Sequence, residues 1–261
     1  MGSLHDLPFG WAVVVLFAGT FVVTAGIYLA VLRLARGDWA PALKGVSPGM
    51  LPPLGLVFGL IVGFLVAGLW GDLNEARTSV NREASALRSA ELVAGASFPG
   101  PTQARLDGLI GRQIRDAANK EWPAMASQSA SLRFAPTPLV EALQVALALK
   151  PKGAGQATAQ GELVSSLEDA LDARRQRIIV SRSTVNWVKW SAVVALGALT
   201  LLAIGCVHSD NRRTAAVAMG IFASAVAVTI VMIFSQDRPF SGQFGVKPDV
   251  LLQVRPDARQ P

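Results

Sequence analysis

The chain has 261 residues, of which 51% are hydrophobic and only 16% charged, with a mean hydropathy of +0.41. Soluble domains carry about 25% charged residues, so this composition excludes an ordinary water-soluble enzyme and, with the apolar residues gathered into long uncharged blocks, marks an integral membrane protein. The net charge of +6 is spread over loops and helix ends, where it reads as membrane-flanking charge, and no nucleic-acid partner is expected.

One cysteine, Cys206, and two histidines, His5 and His208, exclude a disulfide framework and leave too few ligands for a zinc or haem site. No cofactor or metal is expected.

Crossing a bilayer takes about 20 residues at 1.5 Å each. Four stretches without Asp, Glu, Lys or Arg meet this: Leu7 to Leu32, Gly45 to Gly71, Trp190 to His208 and Thr214 to Gln236. The first lacks a positive n-region and is followed by Arg33 and Arg36, so it reads as a retained helix and not a cleaved signal. The second is expected to start at Pro52-Pro53, since proline is tolerated in a first turn.

The spans pair into two hairpins, 7–71 and 190–236, separated by an extramembrane region, 72–189, and followed by a tail, 237–261. An even number of crossings puts the N-terminus, the middle region and the tail on one face. Arg33, Arg36 and Lys44 favour the short loop inside, whereas the larger number of basic residues flanking the other helix ends favours the middle region. The cytoplasm is the expected side for the N-terminus, the middle region and the tail.

Within the middle region, helix 2 has no breaker at its membrane exit and keeps helical spacing through Leu73, Ala76, Val80, Ala84, Leu87 and Ala90, so it should run on as one rod to Phe98-Pro99-Gly100-Pro101. A second amphipathic pattern covers Leu106 to Trp122-Pro123, a third Pro138 to Lys150, and a last one, Glu162 to Trp187, is expected to feed straight into the third span. No stretch alternates like a strand. The predicted fold class is an all-α membrane protein, with four transmembrane helices in two hairpins and a helical extramembrane layer between helices 2 and 3.

Helix 2 carries Gly55, Gly59, Gly63, Ala67 and Gly71 at four-residue steps, a ridge without side chains. Such a ridge lets another helix approach closely in lipid, and this packing role is the favoured reading. The sharper alternative is that this face, or the flank with Phe58 and Phe64, lines a narrow apolar ion path between subunits. The spans hold no Asp, Glu, Lys or Arg, which argues against a proton relay or a charged midplane site. At the exit, Asp72 and Glu75 read as a solvated helix end, or, if subunits gather about an axis, as acidic rings.

Glu83 lies close to the apolar stripe and needs a cation; Arg174, Arg175 or Arg177 on the antiparallel segment before helix 3 is expected to pair with it, in a structural role. The tail motif Arg238-Pro239-Phe240-Ser241-Gly242 breaks the last span, and the chain is expected to re-form a short helix over Pro248 to Val254, with Phe240 and Phe244 as anchors. No nucleophile elbow, phosphate loop or metal-spaced histidine pair occurs, so an enzyme is not expected.

Three segments together resemble the bacterial bestrophin-like family, a domain of unknown function. They are the helix 2 exit (Phe64-Leu-Val-Ala-Gly-Leu-Trp70, Glu75-Ala-Arg77 and Arg82-Glu83-Ala84), Asp172-Ala-Arg-Arg-Gln-Arg177, and Asp237-Arg-Pro-Phe-Ser-Gly242 with Pro248. Glu121-Trp122-Pro123 also matches its middle region, and the likeness runs from about Leu54 to Val254. The resemblance implies kinship with bestrophins, homopentameric anion channels with four membrane helices per subunit and a pore lined by the second.

Their paired phenylalanine neck and acidic calcium clasp are not seen here, so neither pore residues nor calcium binding is carried over. The reading is a homo-oligomer in the bacterial inner membrane, a pentamer by the resemblance. Membrane lipid and small ions are its partners, and helix 2 lines the path. A non-conducting helical scaffold or signalling partner is the alternative.

Overall fold

The computed structural model describes residues 8–38, 40–133 and 135–256, with the backbone alone at Lys44. His5, the expected first-span start at Leu7 and the tail beyond residue 256 lie outside the described residues. Those described form α1 (Phe9–Leu34), α2 (Ala40–Lys44), α3 (Leu51–Ser97), α4 (Pro101–Asp116), a π-helical turn (Ala117–Glu121), α5 (Trp122–Ala126), α6 (Thr137–Leu147), α7 (Ala154–Val180), α8 (Trp187–Val207), α9 (Arg212–Gln236) and α10 (Asp249–Gln253), with no strand among them. Four helices are long and apolar enough to cross a membrane: α1, α3 with its preceding 3-10 turn, α8 and α9.

Local chemistry sets the ends. Ser47 accepts from the Gly49 amide at the 3-10 turn Pro48–Met50, and Pro52 and Pro53 sit in the first turn of α3, where a missing N–H leaves nothing unpaired. α3 then runs for 47 residues without a break, as its spacing predicts. The chain turns at Gly100, whose φ of +89° a residue with a side chain rarely adopts, and Pro101 opens α4.

Trp122-Pro123 does not end the second amphipathic pattern: the helical path continues through the π turn to Ala126. Pro123 supplies no N–H and crowds the preceding turn, and the widened π turn just before it accommodates both effects.

The last pattern departs from expectation in a second way. α7 ends at Val180 and a new helix starts at Trp187, so helix 3 is not a continuation of the extramembrane rod. Asn186 fixes the new start, capping α8 by accepting from the Val188 amide (3.2 Å).

Two compact units divide the chain. One comprises the described residues of Met1–Trp70 with Thr184–Asp237, the other those of Gly71–Ser183 with Arg238–Pro261. In the first, α1 packs on α8 and α9, and α8 on α9. Its core holds Phe58, Leu65 and Leu69 of α3 against Val193 of α8 and Val226 and Ile233 of α9, with a second cluster of Leu201, Ile204, Met219 and Ala223.

The second unit is a helical layer around Leu87, Leu106, Ile110, Ile114, Leu139, Leu163 and Leu167, closed by Phe240 and Leu251 from the tail. Large apolar side chains elsewhere on the spans face outward, among them Val22, Leu56, Phe64 and Ile221. That surface is suited to lipid or to another chain, not to water.

Candidate functional site

Three helical stripes in the extramembrane unit step by alternating four and three residues: Ala76-Val80-Glu83-Leu87-Ala90-Ala94, Ile110-Ile114-Ala117-Glu121 and Leu163-Leu167-Ala170-Arg174-Arg177. Every apolar member is buried, so each charged member is carried inward by its helix. Arg177 and Glu83 are both 0% exposed by side chain.

The guanidinium meets the carboxylate in a fork, Nε to Oε2 at 2.7 Å and Nη2 to Oε1 at 3.1 Å. Nη2 also donates to Glu121 Oε2 (2.7 Å), and Nη1 approaches Met125 Sδ (3.5 Å). The Trp122 ring lies 4.6 Å from the Arg177 Cζ, giving the cation a π face. Glu121 Oε1 in turn receives Nε (2.7 Å) and Nη2 (2.6 Å) of Arg174.

Two arginines and two glutamates thus balance in charge and join α3, the π turn and α7. Burial pushes the Glu83 carboxyl above its ordinary range, against the opposing pull of Arg177. Burial also works against the charge of Arg177, but Glu83 and Glu121 more than offset it and raise its pKa. A charge-balanced and hydrogen-bonded cluster of this kind braces helices; it offers no unpaired base or nucleophile for chemistry.

Arg177 is therefore the arginine that reaches Glu83. Arg174 belongs to the same network through Glu121, and Arg175 points elsewhere, to Asp172 at 2.8 Å on the surface. The roles of Glu121, Trp122 and Met125 are not evident from a search for charge partners on α3 and α7 alone. The step from Ala117 to Glu121, which keeps the carboxylate on the buried stripe of Ile110 and Ile114, is the signal that points to it.

The helix 2 residues divide between two faces. Phe58 is 8% exposed, its ring centroid 5.5 Å from that of Phe222, and it belongs to the chain's own core. Phe64 is 77% exposed. The two phenylalanines do not share a flank, because six residues at 100° each leave them about 120° apart; Phe64 faces outward, but five residues on from Gly59 it points about 140° away from the ridge.

A Cβ placed at Gly55, Gly59, Gly63 or Gly71 would meet nothing among the described residues within 4 Å. Within this subunit the ridge is not a packing seam. Helix contact through small residues falls instead on α8. There Gly197 would bring a Cβ to 3.5 Å of Val226 and 3.6 Å of Phe58, and Gly205 to 3.2 Å of Val31. At the exit of helix 2, Glu75 is exposed and accepts from the Gln176 amide, and Asp72 is half-buried.

In the tail, Pro239 and Phe240 are buried, Arg238 is half-buried and Gly242 adopts a φ of +73°. Phe240 meets Trp122 edge-on with centroids 5.7 Å apart, and the Trp122 indole N–H donates to the Val246 carbonyl at 2.9 Å. The Val246 amide closes the loop onto the Pro239 carbonyl (2.8 Å). Phe244 stays 56% exposed, so Phe240 and Leu251 of α10 anchor the tail more than Phe244 does.

The sequence matches a family model, the bestrophin-like domain, over residues 18–251. Among solved structures, a mutant of a bacterial bestrophin homologue from Klebsiella pneumoniae superposes with a TM-score of 0.69 at 12% identity, over 92% of this chain and 96% of its own. A second mutant of that homologue gives 0.70 at 12%, over 93% and 95%. A zinc-phased structure of it gives 0.65 at 11%, over 91% and 95%. At these identities the likeness is one of fold. Comparison with curated proteins gave no match.

Proposed function

Because the chain belongs to the bestrophin-like family, we propose that it forms a homo-oligomeric channel for small anions, a pentamer by the family resemblance, with the open face of α3 lining the path. The observation that carries this reading is the bare ridge Gly55, Gly59 and Gly63. A glycine ridge with no partner among the described residues of its own subunit is suited to a neighbouring copy or to an axial cavity.

Asp72 and Glu75 follow at the exit of the same helix, where in a ring they would set the local potential; the buried ion cluster holds the extramembrane end of that helix. The membrane is the bacterial inner membrane, with both termini on the cytoplasmic side.

Reconstitution of the purified protein into planar bilayers tests the proposal: step-like currents with a reversal potential that follows the anion gradient are expected. Absence of current at every voltage and gradient favours a non-conducting scaffold, as does a detergent-solubilised mass of one or two subunits, which cannot enclose such a path.

A further inference from the structure

A cleft of about 520 Å³ opens in the extramembrane unit between the loop that follows α5 and the end of α7, lined by Ser131, Leu132, Arg133, Ile178, Ile179 and Arg182. The lining carries two positive charges and no acid. Both arginines are exposed, and neither side chain has an ion-pair or hydrogen-bond partner among the described residues. Their N–H groups are open to an anion in the cleft, and a guanidinium matches phosphate oxygens in a two-point fork.

The same cleft presents apolar surface. Leu132 and Ile179 are each 46% exposed, and the buried Ile178 lines the floor with them. The Ser131 hydroxyl accepts from the Arg133 amide (3.2 Å), which turns the loop at Leu132. Cationic donors beside exposed aliphatic side chains fit an amphipathic anion better than a purely polar one.

Connectivity indicates where such an anion comes from. Arg182 stands five residues before Trp187, the first residue of α8, which is long and apolar enough to cross a membrane. Five residues span at most about 18 Å even when fully extended. Trp187 is 76% exposed, as suits a ring at the headgroup level of a bilayer. The chain itself therefore holds Arg182 near the lipid phosphates.

We propose that this cleft holds the headgroup of an anionic phospholipid, its phosphate oxygens accepting from Arg133 and Arg182 and the start of an acyl chain lying on Leu132 and Ile179. The proposal does not depend on ion conduction.

Native mass spectrometry of the full-length protein in neutral detergent, with phosphatidylglycerol or phosphatidylcholine of the same acyl chains at equal concentration, tests it. Retention of one phosphatidylglycerol per chain is expected, with phosphatidylcholine lost. Arg133→Gln and Arg182→Gln, made singly so that one informs if the other misfolds, are each expected to lower that retention at least fivefold. Arg105→Gln, which removes an exposed arginine lining a separate cleft, is expected to leave it unchanged. Four results would overturn the proposal: equal retention of the two lipids, retention by both folded variants at the wild-type level, displacement of the lipid by an equal concentration of inorganic phosphate, or a fall in subunit number in the variants with lipid retention intact, which would make this face a contact between copies.

Discussion

Arg177 on α7 and Glu83 on α3 are 94 residues apart in the chain, yet they meet in a two-point fork inside the extramembrane layer, with neither side chain reaching solvent. Their desolvation is offset only because Glu121, Met125 and the Trp122 ring occupy the remaining sides of the guanidinium.

Arg177→Met should therefore destabilise the protein by about 3–5 kcal/mol, because Glu83 would be left buried without its cation. The double variant Glu83→Gln/Arg177→Met should lose less than the sum of the two single changes, since removing both charges removes the penalty of the orphan. Unfolding midpoints of the four proteins in one detergent give the coupling directly. Additive losses would mean that the two side chains do not depend on each other.

Asp107 supplies a pH test. Burial raises its pKa above the ordinary value, the nearby Glu91 carboxylate raises it further, and a hydrogen bond from Gln103 only partly counters them; Oδ1 has no partner. A carboxyl whose folded-state pKa is raised favours the folded state when protonated. That contribution is fully present below the unfolded pKa, about 3.9, and is lost as pH rises through the raised folded value.

Asp107→Asn should consequently raise the unfolding midpoint at neutral pH, by under about 1 kcal/mol because the group is largely solvent-screened. The advantage should shrink as the buffer is taken toward pH 4. A gain that stays constant across that range would point to a cause other than ionisation.

The tail loop makes a steric prediction. A Cβ at Gly245 would stand 2.6 Å from the Ser241 carbonyl oxygen and 2.9 Å from its amide nitrogen, both backbone atoms that cannot step aside. Gly245→Ala should shift the loop that sets Phe240 against Trp122 and cost about 1–3 kcal/mol. Limited proteolysis should then cut between Arg238 and Lys247 sooner than in the wild type. Gly108→Ala, where nothing among the described residues lies within 4 Å, should leave the cleavage pattern unchanged.

The all-helical class and the long run of α3 were legible because both follow from local rules: a span needs length without charge, and a helix continues until a breaker ends it. Glu83 was recognisable as needing a cation for the same reason, being a carboxylate on an apolar stripe. Its full surroundings were not, because Trp122 and Met125 follow the π turn, which moves residues off a regular 3.6-residue wheel.

The new start at Asn186 escaped the periodicity because capping depends on a single side chain and not on the average pattern. Phe58 and Phe64 look equivalent in a hydropathy profile. Only packing against Phe222 separates the inward from the outward one.

The open ridge gives the prediction on which the channel reading turns. Because nothing among the described residues lies within 4 Å of the added Cβ at Gly59 or Gly63, Gly63→Ala should leave the fold of the single subunit intact, with an unfolding midpoint no lower than the wild type's once subunits are separated. A ridge that seats a neighbouring copy will not tolerate the bulk, and the solubilised mass should fall. One that faces an axial cavity will tolerate it, and the mass should hold while unitary current in bilayers drops. A variant with unchanged mass and unchanged current would mean that this face meets only lipid tails, and α3 would then have to be removed from the conduction path.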